Sequence, residues 1–492
     1  MENNLVCKNK IRDGLYCIFL SLLLGVIFDR LFFDRALGIS YFLFISLCIA
    51  FSIWLMKESL HFKWNTGWFL LIPIALLSFS YTVHTNGILS FFNFLIVPLL
   101  MVVSSILIYE PGERWDKMSF IVEIIEKAVA NVLCNIPKPF RITRAYAREN
   151  GKSKSKGSRR QIVIGLLISL PVLFVIIGLL SSADMVFNYY LNNFASIFKE
   201  IDFERIILHA VLIFFVAFYF FGYVWGFKEK NCVEKVKSGP ALVTWEPVTL
   251  ITFLAILNLL YLAFSVIQFS YLYGGGSMAL PAGFTYSEYA RKGFFELVAV
   301  TSINFIIVFN CVKFIKRENK KLLTAGNILL SVLIFFTLNM LYSANLKLSL
   351  YESSYGYTYL RVFVHLFMLL LFVLCLVVLA GIWIRRINIV KSIIVISLVM
   401  YTVINYINID GFIARKNVDM YFSKGKVDVY YLNDLSFEAV PYLIKLKNAA
   451  DPSIRESINE NLAHRKEMLE SEKSWGEFNF SKYKARKLLK GI

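Results

Sequence analysis

Long apolar runs separated by short polar or basic connectors recur along almost the whole chain, and no other feature restricts its fold as much. A helix needs about 20 apolar residues to cross a hydrocarbon core about 30 Å thick, where no water satisfies an open backbone. Such runs lie near 15–33, 39–56, 68–84, 88–108, 161–182, 205–226, 246–271, 293–315, 322–342, 360–384 and 389–407. With 58% hydrophobic and only 17% charged residues, the chain holds more apolar material than one soluble core requires. The short alternating segments of a porin-type barrel do not recur. The expected fold class is all-α: a polytopic transmembrane helical bundle of about 11 spans with a small helical C-terminal tail.

Basic residues orient the threading. The N-terminus with Lys8, Lys10 and Arg12, and the connectors 57–67, 109–160, 227–244, 316–321 and 385–388, hold most of the Lys and Arg outside the runs. Positive connectors stay on the cytoplasmic side, so the protein is expected in the cell membrane with its N-terminus cytoplasmic. An odd span number then puts the C-terminus outside. The expected divisions are a four-span segment 1–108, a basic cytoplasmic loop 109–160, a seven-span core 161–407 and an extracytoplasmic amphipathic-helical tail 408–492.

The net charge of +18 is concentrated in part around RITRAYARENGKSKSKGSRR, immediately before an apolar run. Anchoring to anionic lipids over 138–160 explains that placement, and no nucleic-acid-binding signature accompanies it. The expected partners are therefore the lipid bilayer and a membrane or signalling protein, with no nucleic acid. Cys17, Cys48, Cys311 and Cys375 fall within or at the ends of spans, and Cys7, Cys134 and Cys232 on the reducing cytoplasmic side. No Cys or His spacing is that of a zinc site, and no cofactor or metal is expected.

The tail is a different material. In DPSIRESINENLAHRKEMLESEK, Asp451 is an N-cap candidate before Pro452, and Ile454, Ile458, Leu462, Met468 and Leu469 recur at roughly helical spacing. IARKNVDMYF and VDVYYLNDL predict a helical hairpin around Gly425, and FSKYKARKLL a last helix. Such a tail is either a cap on the outer membrane surface or a docking module.

The segments FTYSEYARKGFFELVAV (284–300), LYESSYGYTYLR (350–361), NIDGFIARKNVDMYF (408–422) and YLNDLSFEAVPYL (431–443) carry a family resemblance, with FDRLFFDRALGISYFLF (28–44) ahead of them. They resemble signature blocks of the bacterial integral-membrane family called domain of unknown function 4173, related to 4153. The resemblance implies a polytopic membrane protein, and no activity comes with it.

Charges at span entrances define a candidate binding site. Glu288, Arg291 and Phe295 follow one helical stripe, with Glu296 about a turn deeper, and Tyr351, Glu352 and Tyr355 precede Arg361 at the next entrance on the same side. A charge at the bilayer centre costs about 2.5–3.5 kcal/mol on insertion scales, so Glu296 and Arg361 are expected to face protein or water and to pair. Asn258, Tyr261, Ser265 and Gln268 form a polar stripe on a neighbouring span, and Asn304 lies mid-span beyond Glu296. Together they outline an outward groove. The competing reading is structural: an interfacial aromatic belt, and interhelical hydrogen bonds from Asn and Ser.

No HExxH, triad or phosphate loop is present, so no catalytic residue is assigned. The best-supported class is a membrane-embedded sensor or accessory subunit binding a lipid or small solute. Transport of a small molecule or lipid, with Pro73, Pro98, Pro171 and Pro247 as kinks, is the alternative. An envelope-lipid-modifying enzyme, with Asp29 and Asp34 in the first outer loop, is a third. The threading makes the first testable prediction: a cysteine at Ser471 is labelled from outside intact cells and one at Ser153 is not, and the opposite result inverts the orientation.

Overall fold

The computed structural model describes residues 2–57, 65–110, 115–117, 119–150, 184, 186, 203–228, 246–268, 294–314, 319–384, 386–449, 451–472 and 474–491, and every element in them is helical. The principal helices are α1 (Glu2–Phe32), α2 (Ile39–Leu55), α3 (Leu71–Val83), α4 (Gly87–Tyr109), α5 (Phe203–Lys228), α6 (Pro247–Gln268) and α7 (Phe294–Phe314). They continue with α8 (Lys320–Tyr355), α9 (Tyr359–Trp383), α10 (Ile389–Ile404), α11 (Ile409–Lys424), α12 (Val440–Ala449), α13 (Pro452–Ser471) and α14 (Phe480–Leu489).

Among the described residues, eight helices are long and apolar enough to cross a membrane: Ile11–Phe32, Thr66–Val83, Gly87–Tyr109, Glu204–Lys228, Pro247–Gln268, Phe295–Val312, Lys320–Tyr355 and Tyr359–Trp383. The number rises to nine if α10 and α11, bent by 58° at their junction, form one span. These helices are those of a multi-pass membrane protein. Of the other expected spans, α2 is an apolar helix of 17 residues, and 161–182 lies outside the described residues. About eleven spans are therefore not reached within them.

The chain divides into two compact units, one of Met1–Ala36, Leu43–Lys63 and Ile121–Glu234, the other of Leu37–Phe42, Trp64–Phe120 and Lys235–Ile492. In the first, α1 lies against α5 at close range. A Cβ on Gly25 would stand 2.4 Å from the carbonyl oxygen of Ile213, so only glycine permits the approach. Asp29 of α1 and His209 of α5 are joined across the same contact, at 2.6 Å.

In the second unit α6, α7, α8 and α9 share a core that runs from Leu250, Leu254 and Val378 to Leu341, Leu348 and Met368. Polar side chains fasten the neighbouring helices. Asn93 of α4 donates to Ser80 at 3.0 Å and to Asn405 at 2.6 Å, and accepts from Tyr401 at 2.6 Å.

The tail is neither a loose cap nor a free module. Helices α11 to α14 and the short helix Val429–Asn433 close around Ile413, Val418, Leu443, Leu446, Ile458 and Leu462, and Leu89 of α4 and Val362 of α9 enter the same core. Gly425, in the left-handed conformation, ends α11 where a turn was expected, and the short helix Val429–Asn433 follows it. Pro452 opens α13 after Asp451 as expected, although the Asp451 side chain makes no capping bond.

Buried charge completes the junction. Glu438 accepts from the Thr85 amide at 2.7 Å, from the Thr85 hydroxyl at 2.5 Å and from the Ser436 hydroxyl, and its Oε1 lies 3.3 Å from His84 Nδ1. Burial pushes its carboxyl up, but hydrogen bonds from His84, Ser436, Thr85 and Ser481 outweigh burial and hold it down at about 2. A depressed carboxyl contributes stability above the unfolded pKa of 4.5, and that stability is lost as pH falls toward about 2. At 1.36 kcal/mol per unit the contribution is about 3 kcal/mol. We therefore expect the thermal stability of the purified protein to fall between pH 5 and pH 3. Glu438→Gln should start lower at pH 6 and lose less over that interval.

Candidate functional site

The polar end of α8 exists because that helix does not stop where its apolar run does. After Gly326 no glycine or proline interrupts the sequence until Gly356, so helix propagation continues through Ser343, Asn345 and Lys347. Gly356, at φ +80°, closes it. The span expected to end at 342 thus runs 13 residues further, to Tyr355. This corrects the expected placement of Tyr351, Glu352 and Tyr355: they sit on the last turns of α8, not at the entrance of α9.

Asn345 and Glu352 are seven residues apart, two turns on one face. His365 of α9 bridges them, with Nε2 2.9 Å from Glu352 Oε2 and Nδ1 2.8 Å from Asn345 Oδ1. Glu352 is 2% exposed. Its second oxygen, Oε1, is buried and meets no hydrogen-bond donor among the described residues. His365 escaped the sequence reading because it stands alone in an apolar run, and Asn345 because it lies past residue 342, where the span was expected to end. Their seven-residue and one-helix-pair relation to Glu352 appears only when α8 is known to be continuous.

The expected partners Glu296 and Arg361 have different neighbours. Arg361 donates to the Tyr355 carbonyl at 3.2 Å and to that of Gly356, and its guanidinium lies 4.4 Å from the centre of the Tyr351 ring. Exposed Glu296 acts electrostatically on buried Lys347. The extension of α8 is the physical reason, since it brings Lys347 to the Glu296 level. Glu288 and Arg291 lie outside the described residues.

The stripe on α6 is used between helices. Asn258 Nδ2 donates to the Leu329 carbonyl at 3.0 Å, Tyr261 to Asn304 at 2.6 Å, and Gln268 to Ser343 at 2.7 Å. Asn304 continues to Thr337 at 3.2 Å. Of the expected lining, Asn258, Gln268 and Asn304 therefore link α6 and α7 to α8. Gln268 and Asn258 each keep a buried oxygen that no described donor meets.

The tail covers the α8–α9 turn. Asn417 of α11 accepts from the Tyr357 amide at 2.7 Å and donates to its carbonyl at 2.8 Å. The Tyr359 amide donates to the Tyr431 hydroxyl at 2.7 Å, and Tyr359 in turn donates to Asp410. Asp410 also accepts from Asn86 at 2.6 Å and from the Ser436 amide at 3.0 Å. Arg465, 7% exposed, donates to the carbonyls of Asn433 at 2.7 Å and Ser436 at 3.0 Å. Among the described residues no group of three or more His, Cys, Asp or Glu is placed to hold a metal ion.

Double-mutant cycles on unfolding separate the two charge assignments. Glu296→Gln with Lys347→Gln should couple by about 0.5–3 kcal/mol, whereas Glu296→Gln with Arg361→Gln should add to within about 0.5 kcal/mol. Coupling of the second pair instead would restore the pairing expected from the sequence.

No curated protein and no solved structure matches the chain. A family model does, across α3 to most of α12, and it is that of 4153, which enters the sequence reading only as a relative of 4173, the family that the blocks resemble. Over residues 71–446 the chain matches the model of the family described as Domain of unknown function (DUF4153), and it belongs to that family.

Proposed function

We propose that the protein is a membrane-embedded sensor or accessory subunit that binds a lipid or small solute at the polar end of α8 and α9, facing outward. One observation carries the reading: Glu352, a carboxylate 2% exposed, keeps an oxygen with no donor among the described residues. Leaving a buried acceptor unmet costs about 1–3 kcal/mol, more for a charged one, and a structural cluster is ordinarily satisfied from within. Charged groups at the ends of membrane helices that pair only in part are typical of ligand paths.

Further support comes from the covering tail. Its helix α11 is bonded to the α8–α9 turn through Asn417, so a change at Glu352 has a direct route to a folded domain that a partner protein can read. On the cytoplasmic side of this reading, segment 138–160 holds anionic lipid: helix Lys138–Asn150 exposes Arg141 and Arg144 beside exposed Phe140 and Tyr146. Transport is the second reading, favoured by the 58° bend between α10 and α11 and by Pro98 inside α4.

Purification with native lipids, followed by mass spectrometry of what co-purifies, tests the proposal. A lipid or solute retained in stoichiometric amount by the wild type and lost from Glu352→Gln is the expected result. A wild-type protein that retains nothing overturns it.

A further inference from the structure

The Glu352 site also defines the chemistry of what it binds, an inference that rests on the site being a binding site. We infer that the group meeting Glu352 Oε1 is a primary ammonium, carried by a lipid headgroup or by a free amine.

A carboxylate accepts at about four lone-pair positions, and Glu352 has one described donor, His365, at 2.9 Å on Oε2. Of the fixed cations nearest in the chain, Arg361 meets the Tyr355 and Gly356 carbonyls and the Tyr351 ring, and Lys347 feels the charge of Glu296. Lys424 of α11 donates to the Ser353 carbonyl. His365 faces the Asn345 and Glu352 oxygens through both ring nitrogens and pairs with Glu352 when protonated, so the need left at the site is a donor for Oε1. A charged N–H donor answers it best, since charge-assisted hydrogen bonds are roughly twice as strong as neutral ones. It must also be slender, because Oε1 is fully enclosed among the described residues. An ammonium on an alkyl stem meets that condition. A trimethylated ammonium has no N–H to donate and is much wider.

The test uses the full chain in nanodiscs of two compositions with equal anionic phosphatidylglycerol, one with phosphatidylethanolamine and one with phosphatidylcholine. Lipid retained after mild delipidation is read by mass spectrometry. In a second arm, delipidated protein in a synthetic detergent is titrated with ethylamine or with tetramethylammonium, and the melting temperature is followed. The inference expects a preference for the primary ammonium over its trimethylated counterpart of about tenfold in at least one arm, and Glu352→Gln should abolish it. Preference in the nanodisc arm alone identifies a lipid headgroup as the source, and preference in the soluble arm a free amine. Equal retention and equal shifts in both arms overturn the inference. If Glu352→Gln does not fold, the comparison of headgroups on the wild type decides by itself. A wild type that retains some ligand lacking an amine refutes the ammonium and leaves the binding reading standing, whereas one that retains nothing refutes both.

Discussion

Asp410 is the point on which the second unit's polar end depends. The carboxylate is 1% exposed, and its donors come from three distant parts of the chain: Asn86 before α4, Tyr359 at the start of α9 and Ser436 in the tail. A buried anion is tolerable only when its lone pairs are met, and leaving one of them unmet costs about 1–3 kcal/mol, or more for a charged group. The fold therefore cannot let the tail leave, shift α9 by a turn or reshape the α3–α4 loop without stranding that charge. Glu438 and Arg465 repeat the arrangement nearby, Glu438 with partners from the Thr85 and Ser436 loops and Arg465 with the carbonyls of Asn433 and Ser436. Arg465 thereby ties the end of the short helix Val429–Asn433 to the turn that follows it.

This end of the molecule differs from the interior of the bundle. Between α6, α7 and α8 the polar groups are neutral, and their bonds, Tyr261 to Asn304 and Gln268 to Ser343, join helices that lipid alone would not hold together. At the α8–α9 turn the groups are charged and only partly met. The first pattern is what association within hydrocarbon requires. Open oxygens remain in both, on Asn258 and Gln268 in the stripe and on Glu352 at the turn, and the binding reading rests on Glu352 because there the open oxygen belongs to a carboxylate. The first unit holds a comparable pair, Asp29 with His209, beneath the Phe33 ring at 3.9 Å, and there too the acid is buried and its imidazole partner half-buried.

The apolar runs, the helical class, the Gly425 turn and the start of α13 were all legible in the sequence, because each follows from local rules: hydrophobic length, a left-handed glycine, proline at a first helical position. The sequence also placed Asn258, Gln268 and Asn304 on polar helix faces, and these bond to the neighbouring helix α8. The end of α8 was not legible, because hydropathy falls at Ser343 while helix formation continues. Polar residues end an apolar run without ending a helix. That one difference moved Tyr351, Glu352 and Tyr355 onto another helix and changed the neighbour of Glu296 from Arg361 to Lys347.

What the sequence determined by itself is therefore the kind of element that local length and composition can specify, apolar helices long enough to cross a membrane, and not their number. The tertiary structure alone decided which charges are partners. His365 with Glu352, Asn86 with Asp410 and Thr85 with Glu438 are separated by 13, 324 and 353 residues. No local propensity reaches so far. Such pairs form only because burial in a medium without water compels each charge to find a donor, and the packed chain fixes which donor is within reach.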